Sequence, residues 1–311
     1  MVTQSQTIWT QEPVQALLNA AGGGVLALIA GVEGPSYRPV GAMMAIIGEQ
    51  RVGTLSSGCI EADIALHART TLTDGRPRMI RYGCGSPFMD IELPCGGGLD
   101  ILLVPRPDRM ALEQVATNWS RRIPCTLLID TSSGRCRVAD KGDTALVDGV
   151  LRIRLQPEIR FLIFGKGPEA CTFARLVQSA GYPNLLLSPD PETLTDGELA
   201  GCGTQHLSAH AFPPELAVDD RTAITLFFHD HDWEPALIAG ALDTPAFYIG
   251  AQGSQRARDA RLLALAAMGV AQAALARLHG PIGLIPSARD PGTLSVSVLA
   301  EILATAMRPA G

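Results

Sequence analysis

Apolar residues are spaced differently in the two halves of the chain. Before residue 156, short apolar runs alternate irregularly with Gly- and Pro-rich segments, and 48–53 is predicted to be a turn. The spacing predicts helices over 10–21, 59–72 and 109–119, and strands over 24–32, 42–47, 78–82, 99–104, 125–130, 135–139 and 145–154. This irregular order favours an α+β domain with much antiparallel sheet.

The second half repeats a strand, a turn and a helix. Its strands lack polar alternation and are separated by helices, which is typical of a parallel sheet covered on both faces. Strands are predicted over 160–165, 184–188, 222–228 and 246–250, and helices over 168–180, 233–242, 254–267 and 293–307. We therefore predict two domains, an α+β domain over 1–155 and an α/β domain with a doubly wound parallel sheet over 156–311.

The composition and net charge argue against several classes of protein. The 311 residues carry a formal net charge of −6 and no block of Lys or Arg. A basic surface that binds the phosphate backbone of a nucleic acid is therefore not expected. No run of about 18 apolar residues predicts a membrane span, and no secretory signal is visible at the N-terminus. Seven cysteines, an odd number without dense spacing, do not indicate a disulfide framework. These features predict a reduced, cytoplasmic protein.

A glycine-rich turn follows the first strand of the second half. Gly165, Gly167 and Ala170 fit a spacing in which the first glycine permits a tight turn and the second lets the backbone approach a pyrophosphate. The alanine lets helix and strand pack closely, and Asp190 follows where an acid meets a ribose hydroxyl. Pro168 removes one N–H that would otherwise face the phosphates. The turn predicts a Rossmann-like fold, whether it binds a nucleotide or serves packing alone.

Two polar residues, His229 and Asp230, follow directly after the buried strand 222–228. The carboxyl ends of parallel strands form the ligand crevice of such sheets, so both are predicted to bind a cofactor. Alternatively, Asp230 or Asp232 caps the next helix while the histidines bond to the backbone. A metal site built from these His and Asp residues is a further alternative, but no additional cluster of metal-ligating residues at a suitable spacing supports it.

The first of two thiol-bearing loops precedes a predicted helix. N–H groups of Ser56, Ser57 and Gly58 are expected to converge there with the positive end of the helix dipole, which favours an anion. A thiol in that position, here Cys59, is expected to have a lowered pKa. Glu61, in the first turn, is expected to interact with the helix dipole.

The second loop holds Cys95, Gly96 and Gly97 before the strand 99–104. Glycines allow a bulky ligand to approach the backbone without meeting side chains. Free cysteine is among the most often buried residue types, so each thiol also has a core-packing alternative. The core-packing alternative suits Cys125, Cys136, Cys171 and Cys202. Cys84 is intermediate between the ligand-binding and the core-packing interpretation.

Seven segments, in one order over nearly the whole chain, carry a resemblance to a known family. They are 34-GPSYRPVGAMM-44, 53-GTLSSGCIEADI-64, 93-LPCGGGLDILL-103, 161-FLIFGKGPEA-170, 229-HDHDW-233, 247-FYIGAQGS-254 and 280-GPIGL-284. The chain resembles the XdhC/CoxI family, accessory proteins of xanthine dehydrogenase and related molybdenum hydroxylases. The resemblance implies a chaperone that binds the molybdenum cofactor, helps it receive its sulfido ligand and inserts it into an apo-hydroxylase, with the sulfuration machinery as a further partner.

The resemblance also implies roles for individual residues. Molybdenum is bound by soft sulfur, so Cys59 and Cys95 are expected near the metal. Arg38 is expected to pair with the cofactor's phosphate, its alternative being a solvated loop arginine. The cofactor is expected between the two domains. The chain departs from the family pattern at 35-PSYR-38, where Ser-Ser-Pro-Arg is usual, at 56-SSGC-59, where Ser-Gly-Gly-Cys is frequent, and at Pro168, where His is common.

Alternatives to the chaperone stay open. An NAD(P)-dependent oxidoreductase would use the glycine turn, and a regulatory partner would keep the Rossmann-like fold without using it. The resemblance implies that the cofactor is molybdopterin or its cytosine dinucleotide. Apolar residues over 261–270 predict a homodimer.

Overall fold

The computed structural model describes residues 11–58, 60–86, 96–229 and 232–307, which form two compact units that divide between Pro157 and Glu158. The N-terminal unit contains α1 (Gln11–Asn19), β1 (Val25–Glu33), β2 (Met43–Ile47), β3 (Gln50–Gly53), α2 (Glu61–Asp74), β4 (Arg78–Gly83), β5 (Gly98–Pro105), α3 (Arg109–Ser120), β6 (Cys125–Asp130), β7 (Cys136–Ala139), β8 (Ala145–Val147) and β9 (Val150–Leu155). Its strands form two antiparallel sheets, with the orders β3-β2-β1-β5-β4 and β7-β6-β9-β8. The prediction of an α+β arrangement is confirmed.

The core of this unit lies on both faces of the central strand β1. Val25 and Ala27 pack in one cluster with Ile64 of α2. Leu26 and Leu28, which point to the opposite face, share a second cluster with α1, α3 and the four-stranded sheet. Burying each large aliphatic side chain stabilises the fold by about 1.5–3 kcal/mol. The resulting rigid sheet fixes the loops at its ends.

Three connecting segments leave the five-stranded sheet at the same end. Glu33 at the end of β1 lies opposite Gly98 at the start of β5. Gly98 also pairs with Gly83 at the end of β4, and Gly53 at the end of β3 pairs with Met44 near the start of β2. The described parts of the segments that follow β1, β3 and β4 therefore lie at one end of the sheet.

Two hairpins correct the sequence-based expectations. The segment 48–53 contains the strand β3, and 145–154 forms two strands, β8 and β9, rather than one. Asp148 and Gly149 between them have φ of 50° and 74°, the left-handed geometry of a tight two-residue hairpin. The strands β3 and β8 are edge strands with mostly exposed side chains, so they lack the apolar signal of a strand.

The C-terminal unit is a parallel sheet covered by helices on both faces. It contains β10 (Arg160–Gly165), α4 (Pro168–Ser179), β11 (Asn184–Ser188), α5 (Pro191–Leu199), β12 (Gly203–His206), β13 (Thr222–Phe227), α6 (Glu234–Leu242), β14 (Tyr248–Ala251), α7 (Gln255–Ala267), α8 (Gln272–Leu275), β15 (Leu278–His279) and α9 (Pro291–Ala306). Phe161 of β10 packs with α4 and with Val298 of α9. Leu162 packs on the other face with Leu237 of α6 and Leu265 of α7.

The strand order of this sheet is β12-β11-β10-β13-β14-β15. All its pairs are parallel, and the direction in which strands are added reverses between β10 and β13. This order is that of a Rossmann fold, and its ligand crevice opens at the carboxyl ends of the strands around the reversal. The predicted doubly wound fold is confirmed. No helix among the described residues is long and apolar enough to cross a membrane.

Candidate functional site

The loop after β3 is organised by the carboxylate of Glu61. Its Oε1 accepts hydrogen bonds from the backbone N–H groups of Leu55 (3.1 Å) and Ser56 (2.7 Å) and from the Thr54 hydroxyl (2.8 Å). Its Oε2 accepts from the Ser56 hydroxyl (2.7 Å) and from the backbone N–H of Ile60 (3.3 Å). Helix α2 begins at Glu61, so the loop is joined to the helix by this one side chain.

The environment of Glu61 stabilises its ionised form. Burial alone raises the pKa of this carboxyl, but hydrogen bonds from Ser56 and Thr54 together outweigh burial and lower the pKa to about 2. A buried, ionised and hydrogen-bonded carboxylate fixes the loop backbone firmly. Helical spacing in the sequence places Glu61 only in the first turn of α2 and gives no sign of this role.

Two of the three predicted donors of this loop have acceptors within the protein. The N–H of Ser56 donates to Glu61, and the N–H of Gly58 donates to the Ser56 hydroxyl (3.2 Å). Ser56 is buried, whereas Ser57 and Gly58 are exposed, and Gly58 has φ of 100°. Cys59 lies outside the described residues. A ligand at this loop would therefore meet the exposed atoms of Ser57 and Gly58 first.

The glycine loop before β5 packs against the segment that follows β1. A Cβ atom on Gly97 would lie 2.1 Å from the carbonyl oxygen of Pro35, so this glycine is required by the chain's own backbone. Gly96 has φ of 69°, and a Cβ there would meet nothing within 4 Å. Arg38 is exposed in the neighbouring segment, where the Ser36 hydroxyl donates to the Arg38 carbonyl oxygen (2.7 Å). The structure thus brings the loops of Arg38 and Gly97 together.

Arg81 connects these segments electrostatically. Its guanidinium donates to both oxygens of Asp100 (3.0 and 3.1 Å) and to Glu33 at the end of β1. Its Nε donates to the carbonyl oxygen of Cys84 (2.9 Å), and the Cys84 N–H donates to the carbonyl oxygen of Gly97 (3.1 Å). The hydrogen bond with Asp100, ahead of the bond with Glu33, raises the pKa of Arg81 further. No sequence pattern identified Arg81.

The cysteines divide by burial. Cys125, Cys136, Cys171 and Cys202 are buried, as predicted, and burial raises the pKa of each thiol, that of Cys136 to about 11. The thiol of Cys84 is exposed beside the loop of Gly97. Cys95 lies outside the described residues. Among the residues that are described, no group of three or more His, Cys, Asp or Glu side chains is arranged to hold a metal ion.

The glycine turn of the C-terminal unit has the packing role predicted for it. A Cβ on Gly165 would lie 2.6 Å from the Phe227 carbonyl oxygen of β13 and 3.0 Å from the Cβ of Ala170, which is fully buried. Gly167 has φ of 84°, and a Cβ there would meet nothing within 4 Å. Its N–H, predicted to approach a pyrophosphate, donates to the Thr193 hydroxyl (2.9 Å).

Asp190 caps helix α5. Its Oδ2 accepts from the backbone N–H of Thr193 (3.0 Å) and from the hydroxyl of the same residue. These hydrogen bonds lower the pKa of Asp190 below its usual range. The geometry gives this acid a structural role, and its contact with a ribose stays a prediction.

A cavity of about 460 Å³ lies at the carboxyl ends of β13 and β14. Its lining includes Glu169 in the first turn of α4, His229 after β13, and Gln252 after β14. The Nε2 of His229 lies 3.3 Å from Oε2 of Glu169 and 3.4 Å from Nε2 of Gln252. The cap residues of α7 and α9, Ser254 and Asp290, complete the rim. Sequence reasoning identified His229 but missed Glu169 and Gln252, although each lies in a family-like segment; Asp230 lies outside the described residues.

Comparisons with protein families cover both units. The model of the XdhC Rossmann domain matches residues 161–302, and the model of the XdhC and CoxI family matches residues 17–83. The crystal structure of a xanthine dehydrogenase from Bacillus halodurans superposes with a TM-score of 0.76 at 19% identity, over 95% of this chain and 96% of that one, which supports the fold.

Individual relatives match over nearly the whole length. The molybdenum cofactor insertion chaperone PaoD of Escherichia coli (strain K12) is 31% identical over 292 residues, which cover 93% of this chain and 85% of the relative. A protein of Bacillus subtilis (strain 168) described as a probable xanthine dehydrogenase component is 24% identical over 335 residues, which cover 96% of this chain and 97% of the relative. The chain belongs to the XdhC/CoxI family.

Proposed function

We propose that this protein is a cytoplasmic chaperone that binds the molybdenum cofactor, protects it, supports its sulfuration and inserts it into a hydroxylase of the xanthine dehydrogenase type. The observation that carries the proposal is the 31% identity to a molybdenum cofactor insertion chaperone over 93% of this chain. The apo-hydroxylase is the receiving partner. The sulfuration machinery as a second partner, and a homodimer, are further parts of the proposal.

The N-terminal unit is proposed to handle the metal end of the cofactor. Cys59 and Cys95 would supply soft sulfur near molybdenum, and Arg38 would pair with a phosphate. The arrangement of the sheet supports this role, because the described neighbours of both cysteines, Gly58 and Gly96, lie in segments that leave one end of it. The Glu61 network and the Arg81 contacts hold those segments in place.

The experiment for this proposal measures cofactor retention. Full-length protein is purified from cells that make molybdopterin, and bound molybdenum and pterin are quantified for the wild type and for Cys59→Ala and Cys95→Ala. We expect the wild type to retain both and each variant to lose most of them, while Cys202→Ala, a thiol in the other unit, retains them. Equal retention in all four proteins would remove the thiols from the proposal.

The form of the cofactor is tested in the same preparations. We propose that the bound group is molybdopterin or its cytosine dinucleotide, and nucleotide analysis of the released ligand distinguishes the two. Cytidine monophosphate released in equal molar amount to pterin identifies the dinucleotide, and its absence identifies molybdopterin.

NAD(P) is the alternative ligand suggested by the Rossmann topology. The described turn is poor in donors for a pyrophosphate, because the Gly167 N–H donates to Thr193 and Pro168 has no N–H. Titration of the protein fluorescence with reduced nicotinamide tests the alternative, and we expect no saturable binding. Tight binding with turnover of a substrate would favour an oxidoreductase.

A further inference from the structure

The cavity at the carboxyl ends of β13 and β14 contains two buried oxygen atoms, and neither accepts a hydrogen bond of regular geometry from the described residues. Gln252 is only 6% exposed, and its Oε1 has no partner among the described residues. Oε2 of Glu169 is also buried; it lies 3.3 Å from Nε2 of the largely exposed His229, without the geometry of a hydrogen bond. Leaving such an acceptor unsatisfied costs about 1–3 kcal/mol, and more for a charged group. A ligand that donates hydrogen bonds would remove this cost.

These two side chains are held on rigid elements at one place. Oε2 of Glu169 and Nε2 of Gln252 lie 3.3 and 3.4 Å from Nε2 of His229, so both side chains lie close to this ring nitrogen. The backbone N–H of Gln252 donates to the carbonyl oxygen of Leu226 (2.9 Å), which fixes the residue to the neighbouring strand β13. Glu169 lies in the first turn of α4, directly before the buried Ala170. Both residues therefore line the cavity from positions at which the backbone is fixed.

The wall also contains a segment anchored by helix α9. The N–H of Gly283 and the hydroxyl of Tyr248 donate to the two oxygens of Glu301 (2.5 and 2.8 Å). This carboxylate holds the segment that brings Ile282 into the lining of the cavity. Ile282 and Phe228 add apolar surface beside the polar wall. A flat ring with a polar edge suits such a lining, and the volume is within the range of about 300–1,000 Å³ typical of small-molecule sites.

The chemistry of the wall selects the kind of ring. A carboxylate and an amide oxygen accept hydrogen bonds, so they favour an edge with adjacent N–H donors and disfavour a phosphate. A 2-amino-4-oxopyrimidine, the edge of a pterin, presents an amino group beside a ring N–H. Cytosine presents one amino group beside an unprotonated ring nitrogen and therefore matches less well.

We propose that the cavity bounded by Glu169, His229 and Gln252 binds the aminopyrimidinone edge of a pterin, with Glu169 and Gln252 accepting from its N–H groups. The inference rests on the proposed function and deepens it, because it places the organic part of the molybdenum cofactor in the C-terminal unit. It assigns a ligand role to Glu169 and Gln252, neither of which was predicted from the sequence to be a site residue.

The first test uses full-length wild-type protein and two free heterocycles. Binding of 6-hydroxymethylpterin is compared by calorimetry with binding of 6-hydroxymethyllumazine, in which a carbonyl replaces the 2-amino group. We expect the pterin to bind more tightly by about tenfold or more, because the lumazine turns a carbonyl oxygen toward acceptors. Equal affinity, or tighter binding of cytidine monophosphate than of the pterin, would overturn the proposal.

The second test uses variants with matched controls. Glu169→Gln and Gln252→Leu are expected to weaken pterin binding by about tenfold, and Glu169→Gln is expected to lose the preference over lumazine. Glu192→Gln and Gln272→Leu change exposed residues of the same unit and are expected to bind like the wild type. Pterin affinity that is unchanged in both cavity variants, with native circular dichroism spectra, would also overturn it.

The failure of this inference is distinguishable from the failure of the proposed function. If cells loaded with cofactor yield wild-type protein that contains molybdopterin, but free pterin and lumazine bind equally, the chaperone proposal stands and the assignment of this cavity is wrong. If pterin is preferred in the titration but no molybdopterin co-purifies or transfers, the cavity assignment stands and the chaperone proposal is wrong.

Discussion

Single residues determine the local structure of the candidate site. Glu61 has five donors around its carboxylate, and Gly97 leaves space for the backbone at Pro35. The sequence indicated that both loops were special, because small residues cluster there. It did not indicate the partners, since a carboxylate that reaches back along the chain and a contact between residues 35 and 97 depend on tertiary structure.

Replacing Glu61 tests its role through pH. Because hydrogen bonds lower the pKa of this carboxyl from 4.5 to about 2, its ionisation stabilises the folded protein above about pH 4.5, and that contribution is lost as the pH falls toward 2. Glu61→Gln is expected to reduce the free energy of unfolding by about 2–3 kcal/mol at pH 7, and the difference from wild type should shrink below pH 4. Urea unfolding at a series of pH values measures this difference.

The control for that experiment is Glu49→Gln, which changes a side chain that is 84% exposed and pairs with Arg69. Its expected effect is less than about 1 kcal/mol at every pH. A difference between Glu61→Gln and wild type that stays constant from pH 7 to pH 3 would contradict the assignment of the low pKa to Glu61.

Two adjacent glycines give a second prediction at this scale. Gly97→Ala forces its new methyl group into the Pro35 backbone and is expected to destabilise the protein by about 3 kcal/mol or more. The new methyl group of Gly96→Ala meets nothing within 4 Å. This variant is expected to lose only about 1 kcal/mol of stability, because alanine disfavours a positive φ. Thermal unfolding of both variants measures the order, and a larger effect at Gly96 would show that the contact is incorrectly described.

At the scale of elements, apolar periodicity predicted the buried helices and strands well. It failed at exposed edge strands such as β3 and β8 and at short strands such as β12 and β15, none of which the sequence pattern marked as separate strands. An edge strand with mostly exposed side chains has no apolar face to detect. A strand of two to four residues is too short to show the alternation of apolar and polar side chains. The Asp148–Gly149 pair was the available signal for the missed hairpin.

The capping role of Asp190 can be tested separately from its predicted contact with a ribose. As the N-cap of α5, this residue can be replaced by Asn with little change in stability, whereas Ala loses the acceptor for the Thr193 N–H. Asp190→Ala is expected to reduce the free energy of unfolding by about 1 kcal/mol, and Asp190→Asn by a few tenths. Denaturant unfolding measures both changes. Equal stability of Asp190→Ala and wild type would contradict the capping role.

At the scale of the whole molecule, the order of elements predicted both architectures. Strand order within the sheets could not be predicted, because it depends on pairings between distant segments. The family resemblance supplied what periodicity did not, since family-like segments line the cavity of the C-terminal unit. The placement of the cofactor between the two units stays a prediction.

The domain division gives a prediction of its own. The fragment 156–311 contains β10 and its complete buried clusters, so we expect it to fold alone and unfold cooperatively. A fragment that begins at residue 168 lacks the central strand β10 and should not fold. Circular dichroism during thermal unfolding distinguishes the two, and a 156–311 fragment without a cooperative transition would contradict an independent domain.

The central claim is that this protein inserts the molybdenum cofactor into a hydroxylase. The most direct measurement mixes the cofactor-loaded, full-length protein with a purified apo-hydroxylase of the xanthine dehydrogenase type, and then separates the two and quantifies molybdenum and pterin in each. The account predicts that both move together to the hydroxylase, which becomes active, and that transfer is faster than from an equal concentration of free cofactor. Cofactor that stays with this protein, or a hydroxylase that is activated equally well by free cofactor, would contradict it.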